Sequence, residues 1–319
     1  MARIFLAALL AVFSATGAFA QDYPTKQVSV IIPYTPGSAT DVFGRIICEK
    51  LSILWGQPVV ADNRPGAGGT VGAGEVAKAN PDGYTLLFDS SSYAISPALY
   101  TKLPYDPGKA FVDIAPVAKQ PFVLVVGPAS GAKTVPELVA AIKAKPGQLK
   151  YGSAGAGTGT HLVAEKLKTA AGIDVTHAPY KGGPEANAGT TAGDVAFWFP
   201  PVAMALKDVK EGKLLALGVT SAKRSSALPQ VPTMAEAGVA GIESFNWWGV
   251  WTPAGIPAGV KDKLAKDIAA ALAAPEVREK ITKLGAEPMS MSSVEFGDFV
   301  RSEMESAARA VKAAGIKPQ

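Results

Sequence analysis

Twice in this chain an apolar run gives way to a glycine-rich loop and then to helical spacing. In the first case Val28–Ile32 reads as a buried strand and 33–40 as the loop. Helical spacing follows over 41–54, with Val42, Phe43, Ile46, Ile47 and Leu51 on one face. In the second, 149–152 is the strand, 153–159 the loop and 160–171 the helix, with Leu162, Val163, Leu167 and Ala170 inward. Ser38 with Asp41 three residues on is a capping pattern that sets the first helix start. Free backbone N–H groups and the positive end of a helix dipole meet at such a loop. No Lys or Arg lies between Tyr34 and Asp41. An anion bound there would be held by neutral donors.

The rest of the chain keeps the alternation. Strand-like stretches at 58–62, 84–88, 122–127, 175–180, 214–220 and 245–251 are separated by helical patterns. Three amphipathic helices, at 260–273, 276–284 and 294–314, finish it. This order predicts an α/β protein with mostly parallel sheet covered on both faces. Two such units predict two lobes, 21–121 with 246–319 and 122–245, joined by two crossing hinge strands. Ligands of open α/β sheets lie beyond the strand carboxyl ends, and in a two-lobed protein in the cleft between lobes. Both glycine-rich loops are expected to face that cleft. No sustained internal repeat is present.

Residues 1–20 read as a cleaved secretory signal. Arg3 gives the positive start, Ile4 to Phe13 the apolar stretch and Ala18-Phe19-Ala20 the cleavage site. The mature chain would begin at Gln21 and act as a soluble periplasmic protein. No Cys follows the cleavage site, so no lipid anchor is expected. Cys48 is the single cysteine, so stability must come from packing rather than an intramolecular disulfide. A net charge of +4, spread evenly, does not suggest nucleic acid.

Catalytic signatures are sparse. His161 and His177 lack metal-ligand spacing, and no cofactor is expected. His161, in the first turn of the second helix, is either a ligand hydrogen-bond donor or a structural histidine; His177, on a strand, reads as structural. Gly152-Ser153-Ala154-Gly155 misses the spacing of a nucleophile elbow. Ser130-Gly131-Ala132-Lys133 fits S-x-x-K without its supporting elements. Gly72-Ala73-Gly74-Glu75-Val76-Ala77 fits G-x-G-x-x-A but follows a loop, not a strand. A serine hydrolase using Ser153 with His161 stands as the enzymatic alternative to a binding protein. Phe197-Trp198-Phe199 and Trp247-Trp248 fall near the expected cleft. Most should fill core and hinge, with Trp198 or Phe199 lining a pocket for an apolar or aromatic ligand body.

Ordered landmarks then add a resemblance. Ile32-Pro33-Tyr34-Thr35-Pro36-Gly37, Asn63-Arg64-Pro65-Gly66, Pro81-Asp82-Gly83-Tyr84, His177-Ala178-Pro179-Tyr180-Lys181-Gly182 and Val231-Pro232-Thr233-Met234 run through nearly the whole mature chain. In this order they resemble the Bug-type, TctC-like receptors of tripartite tricarboxylate transporters. The resemblance implies a periplasmic-binding-protein (Venus flytrap) fold that captures a small carboxylate and delivers it to two membrane-embedded subunits. Some members also signal to sensor kinases. It further implies a monomer and no catalysis. The implied ligand-binding residues are Tyr34, Pro36, Gly37, Ser38, Ala39, Thr40 and Asp41 from the first loop. Ser91 and Ser92 follow the strand at 84–88. Ser153, Gly155, Gly157, Thr158 and His161 come from the second loop, with Tyr180, Trp198 and Phe199. Three positions depart from the family pattern: Ser38 replaces a common glycine, and Ala196 and Pro200 replace acidic residues. Loss of those acids argues against a ligand amine and favours a dicarboxylate or aromatic carboxylate over an amino acid. A receptor serving signalling or another transporter type remains the alternative within the same class.

Overall fold

A computed structural model describes residues 23–313 together with 315, 316 and 318. The expected signal at 1–20 lies outside the described residues. The first half lays down β1 (Val28–Ile32), α1 (Ala39–Trp55), β2 (Val59–Asn63), α2 (Thr70–Val76), β3 (Thr85–Ser90), α3 (Ser92–Leu99) and β4 (Phe111–Pro121). Next come β5 (Val123–Val126), α4 (Val135–Lys143), β6 (Lys150–Ser153), α5 (Gly159–Ala171), β7 (Thr176–Pro179), α6 (Gly183–Ala192), β8 (Phe197–Trp198), α7 (Val202–Lys210) and β9 (Leu215–Val219). The chain ends with β10 (Phe245–Pro253), α8 (Ala258–Ala273), α9 (Pro275–Lys283), β11 (Glu287–Pro288) and α10 (Ser293–Ala313).

These strands build two sheets, ordered β11-β4-β10-β3-β1-β2 and β7-β6-β8-β5-β9. Both are mixed, which corrects the mostly parallel sheet expected from alternation. In the first, β1 pairs parallel with β2 and β3, but β10 lies antiparallel between β3 and β4. In the second, β6 pairs parallel with β7 and β8, while β5 is antiparallel to β8 and β9. The physical reason is the strand that returns late. β10 re-enters the first sheet from the second, so it runs against its neighbours.

β10 also shows why each sheet face is apolar. Trp247 and Trp251 pack with Tyr93 and Phe296 on one side, and Trp248 and Val250 with Phe43 and Leu264 on the other. Gly249 stands against Phe296, where a Cβ would come within 2.3 Å of the ring. Its partner β4 contains Pro116 at a register shift, opposite Gly249. Proline fits a strand at such a bulge because no ladder hydrogen bond is asked of it. The second sheet is covered by α4 and α5 on one face and by α6 and α7 on the other.

The chain crosses between the sheets at Phe122 and again over 220–244. The crossings are tied together. Phe122 N donates to Thr220 Oγ1 (3.0 Å), and Thr220 Oγ1 donates to Ser244 O (2.6 Å). Helix α10 packs on the first sheet, and its end reaches α5 of the second through Leu162, Ala307 and Val311.

Candidate functional site

The first loop is rigid for local reasons. Gly37 takes a positive φ of 78°, which glycine alone adopts freely. Ser38 caps α1, its Oγ accepting from Asp41 N at 3.2 Å. Asp41 answers by accepting from Gly37 N (2.9 Å), Arg45 Nε (2.9 Å) and Asn63 Nδ2 (2.9 Å). Burial alone would push this carboxyl up, but those donors hold it below its ordinary value. Asp41 is therefore occupied in holding the loop. The second loop is built alike. Thr158 caps α5 through His161 N, Thr160 Oγ1 accepts from Ala154 N (2.9 Å), and Ser153 Oγ accepts from Gly155 N (3.1 Å).

Between the sheets lie two cavities that share Tyr34 and Ala154. The inner one is small, about 40 Å³. Five helices begin on it: α1 through Ser38 and Ala39, α3 through Ser92, α5 through Thr158, Gly159 and Thr160, α6 through Gly183, and α7 through Pro201. First-turn amides have no intrahelical acceptor, and each helix start carries partial positive charge. Tyr34, Ser90, Asn246, Trp198 and Met204 complete the wall, and no charged side chain contributes. Trp198 Nε1 is buried without an acceptor. The outer cavity, about 550 Å³, is walled by Pro33, Pro65, Pro179, Tyr100, Tyr180 and glycine backbone. Lys181 is its single cation.

The two lobes touch across the mouth. Tyr100 OH donates to Ala156 O at 3.0 Å. A Cβ on Gly68 would lie 2.5 Å from the same oxygen, and one on Gly182 would lie 2.3 Å from Thr35 Oγ1. Glycine lets the backbone at 68 approach the Ala156 carbonyl and the backbone at 182 approach the Thr35 side chain of the opposite lobe.

Of the residues singled out from sequence, Tyr34, Ser38, Ala39, Ser92, Thr158 and Trp198 line the inner cavity. Gly155 and Tyr180 line the outer one. Pro36, Gly37, Thr40, Asp41 and Gly157 line neither; Thr40 accepts from Trp248 Nε1 and Gly157 lies under the Tyr100 ring. Ser91 turns away and donates to Asn246 Oδ1 at 2.7 Å. Three expectations need correction. Phe199 is fully buried, edge-on to Phe197 in the core of the second sheet. His161 lines neither cavity; its ring stacks 4.1 Å from His177, and burial lowers its pKa. Ser153 is fully buried and meets His177 Nε2 at 2.7 Å, not His161. Burial, with His161 next to it, pushes His177 down to about 3, so it stays neutral. Ser90, Ala154, Gly159, Thr160, Gly183, Pro201, Met204 and Asn246 also line the inner cavity and were not singled out from sequence. Ala154, Gly159 and Thr160 carried a signal, as part of the second loop and helix start, and Gly183 as a first-turn residue of a helix already expected.

Asp89 is an unexpected neighbour of this site. It ends β3 beside Ser90, is 2% exposed, and accepts from Ser90 N. Burial pushes its carboxyl up to about 8. The unfolded chain releases this proton near 3.8, whereas the folded chain keeps it to about 8. Stability from this group is therefore full below pH 3.8 and is lost progressively as pH rises to about 8. Asp89→Asn should raise the melting temperature by several degrees near pH 8 and change it little near pH 4. A melting profile of both proteins across that window checks it; parallel profiles would refute a buried neutral acid.

The family model described as tripartite tricarboxylate transporter family receptor, TctC, matches residues 43–316. The UPF0065 protein of the tcbD-tcbE intergenic region in Pseudomonas sp. strain P51 is 37% identical over 284 residues, covering 89% of this chain and 84% of the relative. Among solved structures, Rpa4515 of Rhodopseudomonas palustris, solved with adipate, superposes with TM-score 0.91 at 33% identity. It covers 93% of this chain and 100% of its own. MatC from the same organism, with bound malate, gives TM-score 0.86 at 29% identity, covering 91% and 100%. Among the described residues no group of three His, Cys, Asp or Glu could hold a metal ion. No described helix is long and apolar enough to cross a membrane.

Proposed function

Because this chain belongs to the tripartite tricarboxylate transporter receptor family, TctC, we propose that it captures a small carboxylate in the inter-lobe cleft. One observation carries the reading: five helix starts and a ring of hydroxyls converge on a pocket without a charged side chain. That is the chemistry of neutral donors around one carboxylate group. Hydrogen bonds to a charged group contribute roughly 1.5–3 kcal/mol each. A few of them, less the cost of association, reach the ~8 kcal/mol of a micromolar complex. Adipate and malate in the related structures support the same ligand chemistry.

The inner pocket holds no acidic side chain for an amine. A dicarboxylate or aromatic carboxylate therefore suits it better than an amino acid, and the proline and tyrosine walls outside suit an apolar ligand body. The receptor would be exported to the periplasm, act as a monomer without turnover, and hand its ligand to two membrane-embedded subunits. Against a hydrolase stands Ser153, which is fully buried and lines neither cavity.

Calorimetry of the mature protein against adipate, hexanoate, benzoate and aspartate tests this reading. Saturable binding of amine-free acids is expected, and tight aspartate binding alone would overturn it. At 100-fold saturation a ligand adds about 2.7 kcal/mol of stability, a readily measured thermal shift. Lys181→Gln should weaken adipate roughly threefold to tenfold and leave hexanoate unchanged, because only the second carboxylate reaches the outer cavity.

A further inference from the structure

A cavity of about 380 Å³ lies where the crossing segments pass between the lobes, and it shares only Gly159 with the inner pocket. Its walls belong to both lobes. Ile95 of α3, Trp247 of β10 and Phe299 of α10 stand on the side of the first sheet, and Leu162 and Lys166 of α5 on the side of the second. Apolar side chains make much of the wall, and Lys119, Lys166, Glu243 and Glu303 also line it; Lys119 is paired with Glu287 at 3.4 Å. The Lys166 ammonium donates to Ser244 Oγ at 2.9 Å and reaches Glu243 O at 3.5 Å. Among the described residues no carboxylate comes within 4.0 Å of it. Glu303 lines the same cavity, but its Oε2 accepts from Trp247 Nε1 at 2.9 Å. Burial lowers the Lys166 pKa, and the nearby Glu303 charge offsets this only in part.

A half-buried cation without a direct ion pair, set beside Trp247, Phe299 and Leu162, suits the acid group of an amphipathic anion. We propose that this cavity is a second small-molecule site, taking an amphipathic organic anion. Its acid group sits on Lys166 and its apolar body between Trp247, Phe299 and Leu162. Such an anion touches both lobes, so its affinity depends on their angle, and by linkage it shifts the affinity of the cleft for its own ligand. The site would exist whichever ligand the cleft takes.

Fluorescence titration of the mature protein with anilinonaphthalene sulfonate tests it. One saturable site per chain is expected. Lys166→Met keeps the apolar stem and removes the charge, and should weaken binding roughly tenfold or more. Ser306→Trp, at an exposed position on the cavity wall, should block it. Circular dichroism of each variant establishes that it is folded. Absence of saturable binding, or an affinity that neither substitution changes, overturns the site. So does loss of the signal in a Gly182→Val variant, whose lobes are held apart, while Lys166→Met binds normally, since the probe would then sit in the cleft.

Discussion

Gly182→Val should leave the protein folded and weaken carboxylate binding by roughly a hundredfold or more. Gly182 has an extended backbone, with φ −177° and ψ 175°, that any residue adopts. What glycine provides is room. A Cβ there would lie 2.3 Å from Thr35 Oγ1 and 3.4 Å from both Thr35 Cβ and Cγ2. Rotating Thr35 can turn its hydroxyl aside but leaves its Cβ 3.4 Å from the added carbon, and the two valine methyl groups need further room, which parting the lobes supplies. A ligand in the parted state is gripped fully by one lobe. Losing two charge-assisted hydrogen bonds removes roughly 3–6 kcal/mol, hence the estimated factor. Calorimetry gives the affinity and small-angle scattering the lost compaction on ligand addition. Thr35→Gly in the same background should restore both. Wild-type affinity in Gly182→Val would mean that the contact at the mouth plays no part in holding ligand.

Trp248→Ala should be the most destabilising single change at the site, by about 3–5 kcal/mol. The indole is fully buried, 4.2 Å from the Phe43 ring, and its Nε1 donates to Thr40 Oγ1 at 3.1 Å. It thus ties the middle strand of the first sheet to the first turn of α1. Alanine would leave a large cavity and an unpaired hydroxyl beneath the ligand loop. Urea denaturation should show a lower midpoint with little change in slope. Trp248→Phe refills most of the space and loses only the hydrogen bond, so its loss should be near 1 kcal/mol. Equal losses for Ala and Phe would assign the whole effect to the Thr40 contact.

The sequence made the local units readable and hid the long-range ones. The strand, loop and helix of residues 28–55 were visible because an apolar run, Gly37 and the Ser38 cap all act within a few residues. β4 was missed. Its Pro116, Pro121, Asp113 and Lys119 read as loop, and only pairing with β10 makes a bulged strand of them. α3 was missed because serines and Pro97 dilute its pattern, although a hydroxyl-rich start suits a helix facing a polar pocket. The site divides the same way. Tyr34, Ser38 and Thr158 were found from their own loops. Asn246 and Met204 reach the pocket from elements whose position depends on how the lobes meet. His161 and Phe199 were drawn toward the cleft by residue type, yet helix and strand geometry turned both into the core.

The antiparallel entry of β10 also fixes an order of assembly. The second sheet is drawn from one continuous stretch, β5 to β9, and can form as soon as that stretch exists. The first sheet cannot. Until residues 245–253 are present, β3 and β4 have no common partner, and the sheet is two fragments with bare edges. Such edges invite pairing with other chains. Pairings between distant parts of a chain also form slowly. A chain stopped before residue 245 should therefore hold one finished lobe and one aggregation-prone half, and the closing strand acts as the last piece set in place.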